Sequence, residues 1–148
     1  MIRVHGTSVA LGADGVLLRG PSGSGKSDLA LRLVDSGARL VADDQTELHR
    51  IGTMLELRAP ATLKGLIEVR GLGIVRVSSV ERVRLALVVD LVAEAAIERL
   101  PEPRFATLEG LSFARLALAP FTASAPAKLR LALKALADAP ADVGVAVP

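Results

Sequence analysis

The chain has 148 residues, 51% of them apolar and 23% charged, with a formal charge of +2. That length fits one domain with its own core, and the composition excludes a disordered or low-complexity chain. So small a positive excess, with no Tyr or Trp and three Phe, excludes a base-stacking platform for nucleic acid; an adenine bound here would rest on aliphatic or backbone surface. The absence of cysteine rules out disulfides, thiolate metal sites and cysteine nucleophiles. The longest apolar run, "LALVVDLVAEAAI", is broken by Asp90 and Glu94 and falls short of a membrane span, and "MIRVHGTSVALG" has no apolar signal core. A soluble, cytoplasmic protein is expected.

In chain order, "IRVHGTSVALG" alternates and predicts a strand. "GADG", Gly12 to Gly15, is the turn of a tight hairpin, and "VLLRG" is the short strand after it. From Lys26 the period changes: Leu29, Ala30, Leu33 and Val34 share one helix face, and Gly37 stops the helix. "ARLVADD" predicts a buried strand ending in two carboxylates, Asp43 and Asp44. "MLELRAP", "GLIEVRGLGIVRV" and the β-branched "RVRLALVVDLV" predict further strands, with Gly71 and Gly73 marking a bulge or a close backbone approach. "AIERL" and "LSFARLALAP" are shorter strand candidates. "SAPAKLRLALKALAD" predicts a helix capped by Ser124, with Pro126 in its first turn and Leu129, Leu133 and Leu136 along one side. Residues 1–138 are expected to form one domain and 139–148 a frayed tail. The strand–helix alternation of a doubly wound nucleotide-binding fold stops after one unit, which predicts an α/β P-loop domain with a β-rich sheet.

The stretch "RGPSGSGKSD" carries the chemistry. Gly20, Pro21, Ser22, Gly23, Ser24, Gly25, Lys26 and Ser27 match G-x-x-x-x-G-K-[ST], between a predicted strand and a predicted helix. Glycines let such a loop curl so that its N–H groups point at phosphate oxygens, and the helix start adds its positive dipole end. Lys26 reaches the β- and γ-phosphates, and the Ser27 hydroxyl is a Mg²⁺ ligand. Asp43 and Asp44 end the next strand, where a Mg²⁺ carboxylate or a catalytic base belongs. If the strand runs through them they point opposite ways, so one of the two faces the phosphate, and spacing does not choose which. By spacing alone Glu68 and Arg70 make a surface ion pair, His5 is a packed or surface residue, and His49 and Arg99 are surface residues.

The guanine-reading N-K-x-D segment of a GTPase switch does not occur, and a motor or transporter ATPase is usually larger. Metabolite kinases of this size alternate strand and helix and carry an Arg-rich lid. "HGTSVAL", "GPSGSGKSD" with an acid after the serine, "GARLVADD" and "IEVRGLGI" together resemble the catalytic domain of HPr kinase/phosphorylase, densely from about His5 to Val75. The resemblance implies a fold similar to phosphoenolpyruvate carboxykinase. It implies an ATP-dependent serine protein kinase that phosphorylates HPr, the phosphocarrier of the sugar phosphotransferase system, and reverses the step by phosphorolysis. In that family's terms Lys26 polarises the transferred phosphate, and Ser27 and Glu68 hold Mg²⁺. Asp44 is the proton acceptor, and the donor in reverse; His5 and Arg99 are active-site residues. The resemblance also implies a homo-oligomer, a hexamer. The chain reads as a short form comprising only the catalytic domain, and "LAPFTASAPAKLRLAL" stands where longer members carry a Pro-Gly-Arg-Asn-type loop tied to dephosphorylation. A small-molecule P-loop kinase and a non-catalytic nucleotide-binding regulatory module are the alternatives.

Overall fold

The computed structural model describes residues 1–138; the tail expected at 139–148 lies outside them. The strands are β1 (Ile2–His5), β2 (Thr7–Leu11), β3 (Asp14–Arg19), β4 (Arg39–Ala42), β5 (Gln45–Ile51), β6 (Met54–Arg58), β7 (Leu66–Val69), β8 (Gly73–Arg76), β9 (Arg82–Leu91), β10 (Arg104–Leu108) and β11 (Leu111–Leu118). The helices are α1 (Lys26–Asp35) and α2 (Ala125–Asp138), with single 3-10 turns at Ala61–Leu63 and Glu94–Ala96. One nine-stranded sheet runs β1-β5-β6-β9-β3-β2-β4, and β10 joins it through β11; β7 and β8 form a separate hairpin. The expected α/β P-loop domain with a β-rich sheet is what the chain forms: α1 is its one helix before residue 125.

The sheet forks at β9. Its first residues, 82–84, pair antiparallel with β6, and its last, 87–91, pair parallel with β11. Its other edge carries β3 in parallel, with a register shift that leaves Ala86 as an extra residue between Leu85 and Leu87. An extra residue moves the side-chain alternation to the other face. Accordingly Val83 and Leu85 lie in one core, while Leu87, Val89 and Leu91 lie in the other. The first core is closed by the curl of the sheet, through Leu48, Leu55, Leu57 and Ala106. The second is closed by Leu29, Ala30 and Leu33 of α1 and by Leu129, Ala132 and Leu133 of α2.

Helix α1 buries the face expected of it, and an Asp28–Arg32 pair at 2.9 Å supports its exposed side. It ends as Gly37 predicts. With φ 111°, Gly37 takes the left-handed turn in which its N–H bonds Val34 O and the Ala38 N–H bonds Leu33 O. The "GADG" hairpin joins β2 to β3 in antiparallel register.

Several expectations need correction. "IRVHGTSVALG" is two strands broken at Gly6: β1 pairs with β5, while β2 pairs with β3 and β4. A Cβ at Gly6 would come within 3.0 Å of Leu17 Cδ1 and Leu18 O, so only glycine lets the chain cross there undisturbed. "AIERL" is not a strand: the 3-10 turn at Glu94–Ala96 leads into it, and Pro101 and Pro103 remove two donors before β10 begins at Arg104. "GLIEVRGLGIVRV" is a two-stranded hairpin turning at the positive-φ glycines Gly71 and Gly73.

Candidate active site

The phosphate loop, Gly20 to Gly25, joins the end of β3 to the start of α1. Gly25 is the N-cap of α1 at φ 99°, a conformation costly for any residue with a Cβ. Lys26 is only 6% exposed, and its Nζ donates to Gly20 O at 2.6 Å and Pro21 O at 3.0 Å, so the ammonium lies across the loop. All eight motif residues therefore sit in one strand–loop–helix unit.

The two acids do separate, by a turn and not by strand alternation. Strand β4 ends at Ala42; the Gln45 N–H then bonds Asp43 O at 2.7 Å across Asp44, whose φ is +64°. That is the strained form of the γ-turn, rare for a non-glycine residue. Neighbouring bonds hold it: Gly6 N–H donates to Asp44 O at 2.8 Å, and the Asp44 N–H donates to Thr7 Oγ1 at 3.1 Å. The break between β1 and β2 and the bend after β4 thus brace each other.

Asp43 turns inward and is 9% exposed. Its Oδ1 accepts from Ser27 Oγ at 2.6 Å and Thr7 Oγ1 at 3.2 Å; its Oδ2 accepts the Glu68 N–H at 3.0 Å. One carboxylate thus ties the phosphate-loop helix, β2 and β7 together. Asp44 turns outward. Its Oδ1 accepts from His5 Nε2 at 2.7 Å, the side chains being 62% and 47% exposed, and its Oδ2 has no partner among the described residues.

Glu68 reaches this centre by its backbone N–H, with an exposed side chain at the surface of β7. Glu68 and Arg70 form no ion pair among the described residues; Arg70 lies beyond the end of β7. Arg99 is exposed in the irregular stretch before β10 and makes no hydrogen bond or ion pair to the other site residues among those described. His49 pairs with Glu47 at 3.0 Å, away from the loop. No group of three or more His, Asp or Glu side chains is gathered as a metal cage among the described residues.

Residue-by-residue reading missed the anchor beneath the loop. Arg19, directly before Gly20, donates to Asp90 of β9 at 2.7 and 3.0 Å, and Arg115 of β11 donates to the same carboxylate at 2.6 Å. Burial pushes the Asp90 carboxyl up, but the two arginines outweigh it and hold it below the ordinary value. A lone acid in an apolar strand was the available signal; its partners lie 71 and 25 residues away.

A cavity of ≈ 650 Å³ opens on the β9–β11 side of the loop. Phe121 stands at its edge, so an aromatic ring is present where composition promised only aliphatic surface. No helix among the described residues is long and apolar enough to cross a membrane.

Known proteins resemble this chain in sequence and in fold. A family model described as the HPr Serine kinase C-terminal domain matches residues 1–101. An HPr kinase/phosphorylase of Aromatoleum aromaticum is 47% identical over 98 residues, 61% of this chain and 31% of that protein. Another, of Leptothrix cholodnii, is 38% identical over 128 residues, 78% of this chain and 39% of that protein. The chain spans about a third of the length of the curated relatives it matches. The solved structure of the Hpr(Ser) kinase/phosphatase from Coxiella burnetii superposes with a TM-score of 0.77 at 24% identity, covering 87% of this chain and 86% of that one, a likeness of fold over more of the chain than the family model spans. With the family model spanning the phosphate loop, the Asp43–Asp44 turn and β7, the chain belongs to the HPr serine kinase C-terminal domain family.

Proposed function

We propose that this chain transfers the γ-phosphoryl group of ATP to a serine hydroxyl of an HPr-like phosphocarrier protein. The observation that carries the reading is the pair of carboxylates beside the phosphate loop, one buried against Ser27 and one exposed against His5. A buried Asp43 that already accepts from three donors is poorly placed to take a proton from another protein. Asp44 has an unpartnered oxygen at the surface, where a serine on a protein can reach it. An enclosed metabolite would not need so exposed a base, and a regulatory module would need no base at all.

In the forward direction the serine Oγ attacks the γ-phosphorus, its proton passes to Asp44, and the bond to the β–γ bridging oxygen breaks to release ADP. The His5 N–H fixes the orientation of the Asp44 carboxylate. Lys26, the loop N–H groups and Arg99 take up negative charge on the transferring group. The Ser27 hydroxyl and the Asp43 carboxylate meet here, and Glu68, whose backbone N–H bonds that carboxylate, adds an exposed carboxylate of its own; such oxygens suit Mg²⁺, which keeps its waters and needs only one or two protein ligands. Ser27 and Glu68 would hold the ion, which would supply charge neutralisation along the phosphate chain. In reverse, inorganic phosphate attacks the phosphoserine, protonated Asp44 returns the proton to the serine, and pyrophosphate leaves. A cytoplasmic homo-oligomer, with residues 1–138 as its catalytic domain, belongs to the same reading.

The test is intact-mass spectrometry of the host's HPr-like carrier after incubation with this protein and Mg-ATP. One added phosphoryl group on a serine, absent with Lys26→Ala, is expected. An unmodified carrier in the presence of bound ATP would overturn the reading.

A further inference from the structure

Three hydroxyl side chains with no solvent exposure lie behind the two acids: Thr7, Ser8 and Thr46. Burying a hydroxyl is unfavourable unless it is hydrogen-bonded, so each must find a partner. Thr46 Oγ1 donates to Gly6 O at 3.0 Å, and Ser8 Oγ, 2.9 Å from Thr46 Oγ1, donates to that oxygen in turn. These two fasten β2 to β5, and neither bonds an acid among the described residues.

Thr7 differs, because it stands between the acids and bonds both. A hydroxyl has one proton to give and lone pairs with which to accept. The Asp43 carboxylate takes the proton, at 3.2 Å, and the oxygen is then free to accept the Asp44 N–H at 3.1 Å. The chain from Asp44 N–H through the Thr7 hydroxyl to Asp43 therefore runs one way. Bonds in such a chain polarise one another, so the buried carboxylate strengthens the hold on the Asp44 backbone. That hold falls where the backbone needs it: Asp44 has φ +64°, a conformation that persists only when its surroundings impose it. The Asp44 side chain is 62% exposed and has His5 as its one partner among the described residues, so its direction is set by that bond and by the turn.

We infer that Thr7 is a positioning residue for phosphoryl transfer. Its hydroxyl holds the left-handed turn that aims Asp44 at the acceptor serine, and ties that turn to the carboxylate bonded to Ser27 of the phosphate loop. This rests on the reading of Asp44 as proton acceptor and adds that the acid is aimed from the donor side of the site. Thr7 touches no substrate and acts through Asp44.

The test is single-turnover transfer from Mg-ATP to the HPr-like carrier by the full chain, with ATP affinity and urea unfolding measured on each variant. Thr7→Val keeps the side chain's volume without the hydroxyl, and Thr7→Ala removes both. Each is expected to slow transfer about ten-fold with ATP affinity within about two-fold of wild type, in the range of a slightly misplaced catalytic group. Thr7→Ser, which restores the hydroxyl, is expected to transfer within about three-fold of wild type. Ser8→Ala removes an equally buried hydroxyl that bonds neither acid, and is expected to lower stability while leaving transfer within about three-fold. In an Asp44→Asn background, Thr7→Val should slow transfer no further, because no base is left to aim. Wild-type transfer by the hydroxyl-less variants, a Thr7→Ser as slow as Thr7→Val, or an undiminished effect of Thr7→Val in the Asp44→Asn background would overturn the inference and leave the proton-acceptor reading standing. Unchanged transfer by Asp44→Asn alone would overturn that reading and this inference with it.

Discussion

The two sides of the phosphate loop are built in opposite ways. On the β2–β4 side the buried polar groups are tied: Asp43 joins three elements, Thr7 bonds both Asp43 and the Asp44 N–H, and the strained turn between β4 and β5 is held by Gly6 and Thr7. On the β9–β11 side an apolar cavity is bordered by a mostly exposed ring. The difference teaches where accuracy is needed. Proton transfer demands placement to within fractions of an ångström, so its groups sit on strand ends locked by hydrogen bonds. The β9–β11 side shows no such network around its cavity, and there the loop before α2 is clasped by Arg32 alone.

The largest expected effect from breaking the tied side is Asp43→Ala. It strips the Ser27 and Thr7 hydroxyls and the Glu68 N–H of their acceptor, and a loss of about 3 kcal/mol of stability is expected in urea unfolding, because buried donors would be left unpaired. Gly25→Ala strikes both sides at once. It forces a Cβ to φ 99° and into the Phe121 ring, for about 1–3 kcal/mol of strain. ATP binding should weaken as well, because Gly25 caps α1 at the phosphate loop.

Asp90→Asn acts beneath both sides and should have the smallest effect, about 1–2 kcal/mol at neutral pH, since its arginine partners are partly exposed. Its pH dependence is the sharper check. The folded carboxyl titrates below its ordinary 3.8, so its contribution is complete above that value and is lost as pH falls from there through the lowered folded value. Wild type and Asp90→Asn should therefore converge in stability in strong acid and differ at neutral pH. A gap that stays constant through the acid range would contradict the arginine-held carboxylate.

The loop itself was legible because its signal is local: eight consecutive residues between an apolar strand and an amphipathic helix. The hairpin at Gly12–Gly15 and the stop at Gly37 were legible for the same reason. Strand β5 was not, because in "QTELHRI" only Thr46 and Leu48 are buried and the rest reads as polar surface. Strand β10 likewise buries only Ala106. The two acids diverge, but not by alternation: β4 ends before them, and the positive φ of Asp44 that separates them depends on bonds to Gly6 and Thr7, almost forty residues earlier. The cavity could not be read at all, since its walls come from three segments far apart in the chain.

The central claim is that Asp44, and not the buried Asp43, takes the serine's proton. The most direct measurement is single-turnover phosphoryl transfer from ATP to the carrier by Asp44→Asn, with ATP affinity measured on the same preparation. The account predicts a fall in transfer of about 10²–10⁴-fold with the ATP dissociation constant within about two-fold of wild type. Transfer near the wild-type rate would contradict it and move the proton acceptor elsewhere.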